Sequence, residues 1–400
     1  MTARSRFAGM PREVFVLGVI AFCVMVGFGV VLPVLPVYAR SFGVSNFEVG
    51  AVVSAFALMR LICSPFCPRL INIFGERLVL AIGMYIVAVS SGLVALAQNY
   101  PQLLILRGLG GIGSAMFTVS AMTLLLTSVP ADRRGRATGI YQGGFLLGGM
   151  AGPAVGGVLA TISLTAPFVF YAGTLIVAGT VGLMMLRPTG QQLTGAQQPP
   201  IPFVEVLADK RYQAACLTNL AQGWTSFGVR STLVPVLIVE LLGGEPAWTG
   251  IAFACAAVVQ TIMLGPAGRF SDTVGRRPAM IIGGALAAGM IMLVPFAPNI
   301  WVLGAVLCGY GAASAFLGTA PAAAVGDAAG GRAGRPVAIF SMCADVGAIV
   351  GPLVAGVLAD RVSYSAAFGV GAALLVVGLL AAVRMPRRVA DRRQDRLPSA

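Results

Sequence analysis

The sequence predicts an all-α membrane protein: twelve transmembrane helices in two pseudo-symmetric six-helix bundles. Three observations lead there. Of 400 residues, 58% are hydrophobic and only 10% are charged, with a mean hydropathy of +0.89. Soluble chains carry about a quarter charged residues, so water is not the main solvent of this one. Apolar runs of about 20 residues, the length a helix needs to cross hydrocarbon, recur along the chain. The 52 glycines and 24 prolines lie largely inside those runs, where both are ordinary in transmembrane helices.

The runs fall at 14–38, 46–67, 77–98, 101–127, 136–160, 165–186, 212–238, 247–267, 278–297, 300–325, 336–359 and 364–384. The first follows Arg4, Arg6 and Arg12. It is longer than a signal-peptide core and a second run follows closely, so it reads as a retained helix. Even-numbered spanning places both termini on one side. Arg69 and Arg77, Arg133, Arg134 and Arg136, Arg187, Lys210 and Arg211, Arg269, Arg276 and Arg277, Arg332 and Arg335, and the tail beyond Arg384 all fall on the side of the termini. Only Arg40 and Arg361 fall in the opposite gaps, beside Glu240, Glu245 and Asp360. By the positive-inside rule that basic side is cytoplasmic. The chain is therefore expected to be a multi-pass protein of a cytoplasmic membrane. Lys210 is the only lysine among 27 basic residues, an arginine bias that points to a GC-rich bacterial genome.

The net charge of +13 is thus an orientation signal. No basic face of a folded domain exists to make it a nucleic-acid footprint. The chain has no histidine, which excludes a Ser-His-Asp triad, a Cys-His dyad and a His-based zinc site. Its seven cysteines lie within apolar stretches and read as small core residues, so no metal site is expected. The polar stretch around 188–211 divides the chain into residues 1–187 and 212–385, followed by a basic tail at 386–400. A shift of about 200 residues superposes the halves: Pro68–Gly75 on Gly268–Gly275, Gly152-Pro153 on Gly351-Pro352, Phe28-Gly29-Val30 on Phe227-Gly228-Val229. Parallel repeats of six helices are an architecture of secondary transporters.

Three motifs agree with that architecture. Gly268-Arg-Phe-Ser-Asp272-Thr-Val-Gly275-Arg276-Arg277 follows the eighth run, Arg107-Gly-Leu-Gly-Gly111-Ile-Gly113 lies in the fourth, and Gly148-Gly-Met-Ala-Gly152-Pro153-Ala-Val-Gly156-Gly157 lies in the fifth. Together they resemble the signatures of the major facilitator superfamily, the last being similar to the element of its drug:proton antiporter branch. Each also has its own physical reading. Gly268 and Gly275 permit a tight turn, and Asp272 can accept hydrogen bonds from Arg276 and cap a helix; with Arg136 they form a candidate conformational latch. In the first half Asn72 stands where the second has Asp272, so the corresponding latch is weakened there. Gly148, Gly152, Gly156 and Gly157 put small residues on a helix face where another backbone can approach, and Pro153 permits a bend. The resemblance implies that this element shapes the interface between halves.

The charges at membrane depth carry the most chemistry, because each costs ~2.5–3.5 kcal/mol at a helix centre on insertion scales. They are Arg60, Arg107, Arg230 and Asp345. The resemblance brings the second and eleventh spans together, so Arg60 and Asp345 are expected to pair across the halves and to gate, with Arg107 implicated by the resemblance in proton relay. Arg230 lies among Asn219, Gln222, Trp224, Thr225 and Ser226, with Gln142 and Gln260 as further candidates for a substrate cavity. Three deep cations against one carboxylate favour anionic or zwitterionic amphiphiles.

The expected function is secondary active transport: proton-coupled export of amphiphilic small molecules by alternating access. Uptake or facilitated diffusion of a metabolite such as an organic anion is the alternative, and a non-transporting receptor on the same fold is another. One deep carboxylate without histidine gives no acid/base pair for an enzyme. No G-x-x-x-x-G-K-[ST] occurs, so the energy source is expected to be the proton gradient, with no cofactor. Expected partners are a small-molecule substrate, protons and the bilayer, with no nucleic acid, and the chain acts as a monomer.

Overall fold

The computed structural model describes residues 10–130, 133–186, 203–328 and 335–386, and among these every regular element is helical. The cause is solvent. Hydrocarbon cannot hydrogen-bond a peptide group, so the chain crosses it only where each N–H finds a carbonyl in its own segment. Eleven continuous helices are long and apolar enough to span. The seventh crossing completes the twelve, although it is broken: an α-helix Lys210–Gly223, a π-helix Trp224–Arg230 and an α-helix Ser231–Glu240.

Span ends differ from the sequence expectation in an informative way. The second span continues past Cys63 through a 3₁₀ turn and a further helix to Phe74, and the eighth runs unbroken from Pro246 to Thr273. Gly268 and Asp272 are therefore helical, and only Gly275 makes the turn, with φ +124°. The stretch read as a linker holds a short helix, Phe203–Ala208, and the seventh span begins at Lys210. Residues 188–202 of that linker and the tail beyond residue 386 lie outside the described residues.

The internal repeat is written into the backbone. Positive φ occurs at Gly43 and Gly243 after the first and seventh spans, and at Gly75 and Gly275 before the third and ninth. Asn99 and Asn299 cap the fourth and tenth spans, each accepting from a backbone N–H of the first turn. Each half has its own apolar core, centred on Leu17, Met84, Leu124 and Phe168 in the first and on Leu237, Ile291, Tyr310 and Phe368 in the second. Large apolar residues also face outward, among them Ile162, Met184 and Ile262, as expected where the surroundings are lipid.

Small residues then let the spans meet. Gly148, Gly152 and Gly156 of the fifth span lie against the backbone of the first at Phe22, Val26 and Val30, and Gly347 and Gly351 of the eleventh lie against the seventh at Leu220 and Trp224. Between halves, the fifth span meets the eighth and the second meets the eleventh. These contacts are tightest at the end away from the basic loops, hereafter the opposite face. A Cβ on Gly250 would stand 2.5 Å from Gly157 Cα and from the Pro153 carbonyl, and one on Gly50 would stand 2.2 Å from the Pro352 carbonyl.

Gly250→Leu is accordingly expected to destabilise the protein by about 1–3 kcal/mol through overpacking. Gly265→Leu, on the same helix but with no atom within 4 Å of a Cβ, is expected to stay within about 0.5 kcal/mol. Thermal unfolding of both variants in one detergent checks the difference.

Candidate functional site

Among the described residues, hydrogen bonds across the halves concentrate on the opposite face. The Asp360 carboxylate, at the end of the eleventh span, accepts from Asn46 N (3.0 Å), Asn46 Nδ2 (2.8 Å) and Phe47 N (2.8 Å). It thereby caps the N-terminus of the second span, where free N–H groups and the helix dipole favour an anion. Arg40 Nε donates to Glu240 Oε1 at 2.6 Å, joining equivalent positions of the two halves. That hydrogen bond holds the Arg40 pKa above its ordinary value. Deeper in, Ser54 Oγ donates to the Ile349 carbonyl at 2.6 Å.

The lowest of these links is the ion pair between Arg60 Nη2 and Asp345 Oδ1, both half-buried. The second span is helical from Asn46 to Phe74, and Arg60 sits midway along it. Toward the basic face the halves part. A cavity of about 610 Å³ lies between the first, fifth, seventh and eighth spans and runs down to Gly139 and Leu264. Gly139 and Gly143, on its wall, have no atom within 4 Å of where a Cβ would stand.

A second cavity of about 210 Å³ adjoins it and is walled mainly by the first half. The two share Met25, Phe28, Leu32, Phe145, Phe227 and Ser231 along an apolar, aromatic middle, and together they are called the chamber. Arg107 and Arg60 line the smaller part, and Arg230, Gln142, Gln260 and Pro153 the larger. Arg107 is 5% exposed and stacks on Phe56, its guanidinium 4.7 Å from the ring centre. Arg230 ends the π-helix and lies 5.3 Å from the Phe253 ring and 5.6 Å from Tyr310. Such stacking offsets part of the cost of a desolvated cation.

Other residues singled out in the sequence stand elsewhere. Trp224, Asn219 and Gln222 line neither part of the chamber. Trp224 packs on Gly347 and Gly351, Asn219 Nδ2 donates to the Phe340 carbonyl at 2.7 Å, and Gln222 Nε2 donates to Ser314 Oγ at 3.3 Å. All three tie the seventh span to helices of its own half. Asp272 pairs with Arg276, and Arg276 Nε also donates to Asp327 at 3.2 Å. Among the described residues this cluster joins the eighth, ninth and tenth spans inside the second half. Gly268 has open space around it, and the side chain of Arg136 lies outside the described residues. Within Gly148–Gly157, the glycine that touches the other half is Gly157, against Ala247 and Gly250.

Sequence reasoning missed three features. Hydropathy carries no sign of the π-helix, because the wider turn changes the hydrogen-bond register and not the composition. Nothing in the sequence sets Phe56, Phe253 and Tyr310 apart from other aromatics in apolar runs; only the structure places the arginines over them. Asp360 read as a loop acid.

Comparison with known proteins agrees with this architecture. The family profile of the Major Facilitator Superfamily matches residues 17–243 and 215–399. The quinolone resistance protein NorA of Staphylococcus aureus is 31% identical over 193 residues, which is 47% of this chain and 49% of that protein. The synaptic vesicular amine transporter of Homo sapiens is 27% identical over 331 residues, covering 80% of this chain and 63% of that one. The chain thus spans about half to two thirds of the length of these relatives. A bacterial homolog of the human lysosomal transporter Spinster, in an inward-facing and unoccupied conformation, superposes with a TM-score of 0.75 at 16% identity over 96% of both chains. Two six-helix repeats around a shared chamber, with a profile match across nearly the whole length, place this chain in the major facilitator superfamily of membrane transporters.

Proposed function

We propose that the protein exports amphiphilic small molecules from a bacterial cytoplasm in exchange for protons, by alternating access of the chamber to the two faces of the membrane. The observation that carries this reading is the Arg60–Asp345 pair, a titratable link between the halves beside the chamber. The basic face is cytoplasmic by the positive-inside rule, so the chamber opens inward in this state. The relative named for quinolone resistance supports drug export through the half of the chain it matches.

The cycle follows from the charges. With Asp345 ionised, the pair, the Ser54 hydrogen bond, the Asp360 cap and the Arg40–Glu240 pair hold the outer ends of the second and eleventh spans together. Substrate enters the chamber from the cytoplasm. Opening outward parts the second and eleventh spans, breaks the Arg60–Asp345 pair, and leaves a carboxylate in a poor solvent without its partner. Such a group relieves its desolvation cost by taking a proton, here from outside. Return to the inward state carries that proton in, and its release to the cytoplasm re-forms the pair. One proton enters as substrate leaves, and no cofactor takes part. One chain supplies the whole lining of the chamber, so the proposed cycle needs no second copy.

Two outcomes are expected. In proteoliposomes, Asp345→Asn abolishes substrate movement driven by an imposed pH gradient while leaving substrate exchange without a gradient; gradient-driven transport at the unaltered rate would refute proton coupling through Asp345. Second, Asp360→Ala removes the cap on the second span and shifts the population toward the outward-open state. In a cysteine-free background carrying Leu32→Cys in the chamber wall, labelling from outside by a membrane-impermeant maleimide should rise several-fold. Unchanged labelling would mean that Asp360 does not hold the outer closure.

A further inference from the structure

Resting on the reading of the chamber as the transport site, we infer that it selects anions: Arg107 in its smaller part and Arg230 in its larger part are the donors for the carboxylate, or a phosphate of like charge and geometry, of a substrate whose aromatic or aliphatic body lies against Phe28, Phe145 and Phe227. The basis is the charge balance of the chamber. Of three cations that line it, Arg60 alone has a counter-charge, Asp345. Arg107 and Arg230 have no ion pair or hydrogen bond among the described residues, and the Nε of each is buried without an acceptor. Phe56 lies against the Arg107 guanidinium, and Phe253 and Tyr310 lie against that of Arg230, so aromatic rings and no anion surround these two charges.

No acid stands in reserve to neutralise them. The other described acids lie at helix ends or in connections near the two faces: Glu13, Glu48, Glu76, Glu205, Asp209, Glu240, Glu245, Asp272, Asp327 and Asp360. A buried guanidinium without an anion is costly, and its forked donors match a carboxylate or phosphate bidentately. Arg107 belongs to the first half and Arg230 to the second, and neither has a charged equivalent at its repeat-related position, Leu307 and Val31. The anion site is therefore not a relic of duplication. A substrate that reaches both arginines touches both halves, so its binding bears directly on how the halves sit. An organic cation would meet two uncompensated positive charges and only one carboxylate, already paired.

The test uses the full chain in phosphatidylcholine nanodiscs at neutral pH, with 2-naphthoate, 2-naphthylmethylammonium and dodecyl phosphate as probes, read by the shift in thermal unfolding. Naphthoate or dodecyl phosphate should stabilise and the ammonium should not. A response to both anions identifies free carboxylates as ligands, and a response to dodecyl phosphate alone identifies a lipid-like headgroup as the source of the anion. Affinity should fall about tenfold in Arg107→Gln, as expected for loss of one charge-assisted, bidentate contact. Arg230→Gln should weaken binding as well. Arg107→Lys, which keeps the charge without the fork, should fall between, and it serves if Arg107→Gln does not fold. Stabilisation by the ammonium alone, or anion binding unchanged in both arginine variants, would overturn the inference. Proton-driven transport is scored separately in proteoliposomes. If the ammonium is transported while naphthoate neither binds nor competes, the anion site fails and the transport reading stands. If naphthoate binds through Arg107 but no pH gradient moves it or the ammonium, the transport reading fails and the anion site stands.

Discussion

Hydrocarbon offers no hydrogen-bond partner and solvates charge poorly, and most of this structure follows from that one property of the solvent. It forces the backbone into helices, since only a helix satisfies its own peptide groups. It also removes hydrophobic driving force between the helices, because lipid tails are as apolar as leucine. Close backbone approach has to substitute for it. The fifth and eleventh spans show how: their glycines let them lie against the first and seventh, while Gly157 and Pro352 approach the other half at Gly250 and Gly50.

The same constraint makes each buried charge a defined object. Among the described residues, each arginine or aspartate at depth is paired, stacked on an aromatic ring or facing the chamber. Arg60 has Asp345, while Arg107 and Arg230 have only aromatic faces. Where the charges sit relative to the halves then sets what each can do. A pair across the halves changes when the halves move, whereas the Asp272–Arg276–Asp327 cluster, within one half among the described residues, ties together the loops of that half. The latch role expected for that loop requires a partner from the first half, where the side chain of the candidate Arg136 lies outside the described residues.

Closure of the opposite face is polar at its rim and tightly packed just inside it. Asp360 on the second span's N-terminus and Arg40 with Glu240 lie where water can replace them when the halves separate. Exposed ion pairs of this kind contribute little stability, which suits contacts that must break in every cycle. The tight glycine contacts beneath them supply shape and fix which residues meet.

Sequence alone determined the class of solvent, the number of crossings, the basic side and the repeat, because each is a one-dimensional property: run length, charge position and periodic recurrence. It also identified Arg60, Arg107, Arg230 and Asp345, since a charge inside an apolar run is visible without coordinates. What it did not determine was which polar groups face the chamber. Asn219, Gln222 and Trp224 looked like cavity lining by proximity to Arg230, yet a helix turns about 100° per residue, and the π-helix at Trp224–Arg230 rotates the register further. Which neighbours share a face with Arg230 was decided there, and by the helices of its own half that Asn219 and Gln222 reach. The tertiary structure likewise decided that Arg107 and Arg230 stand without a carboxylate, because pairing depends on distance across helices far apart in the chain.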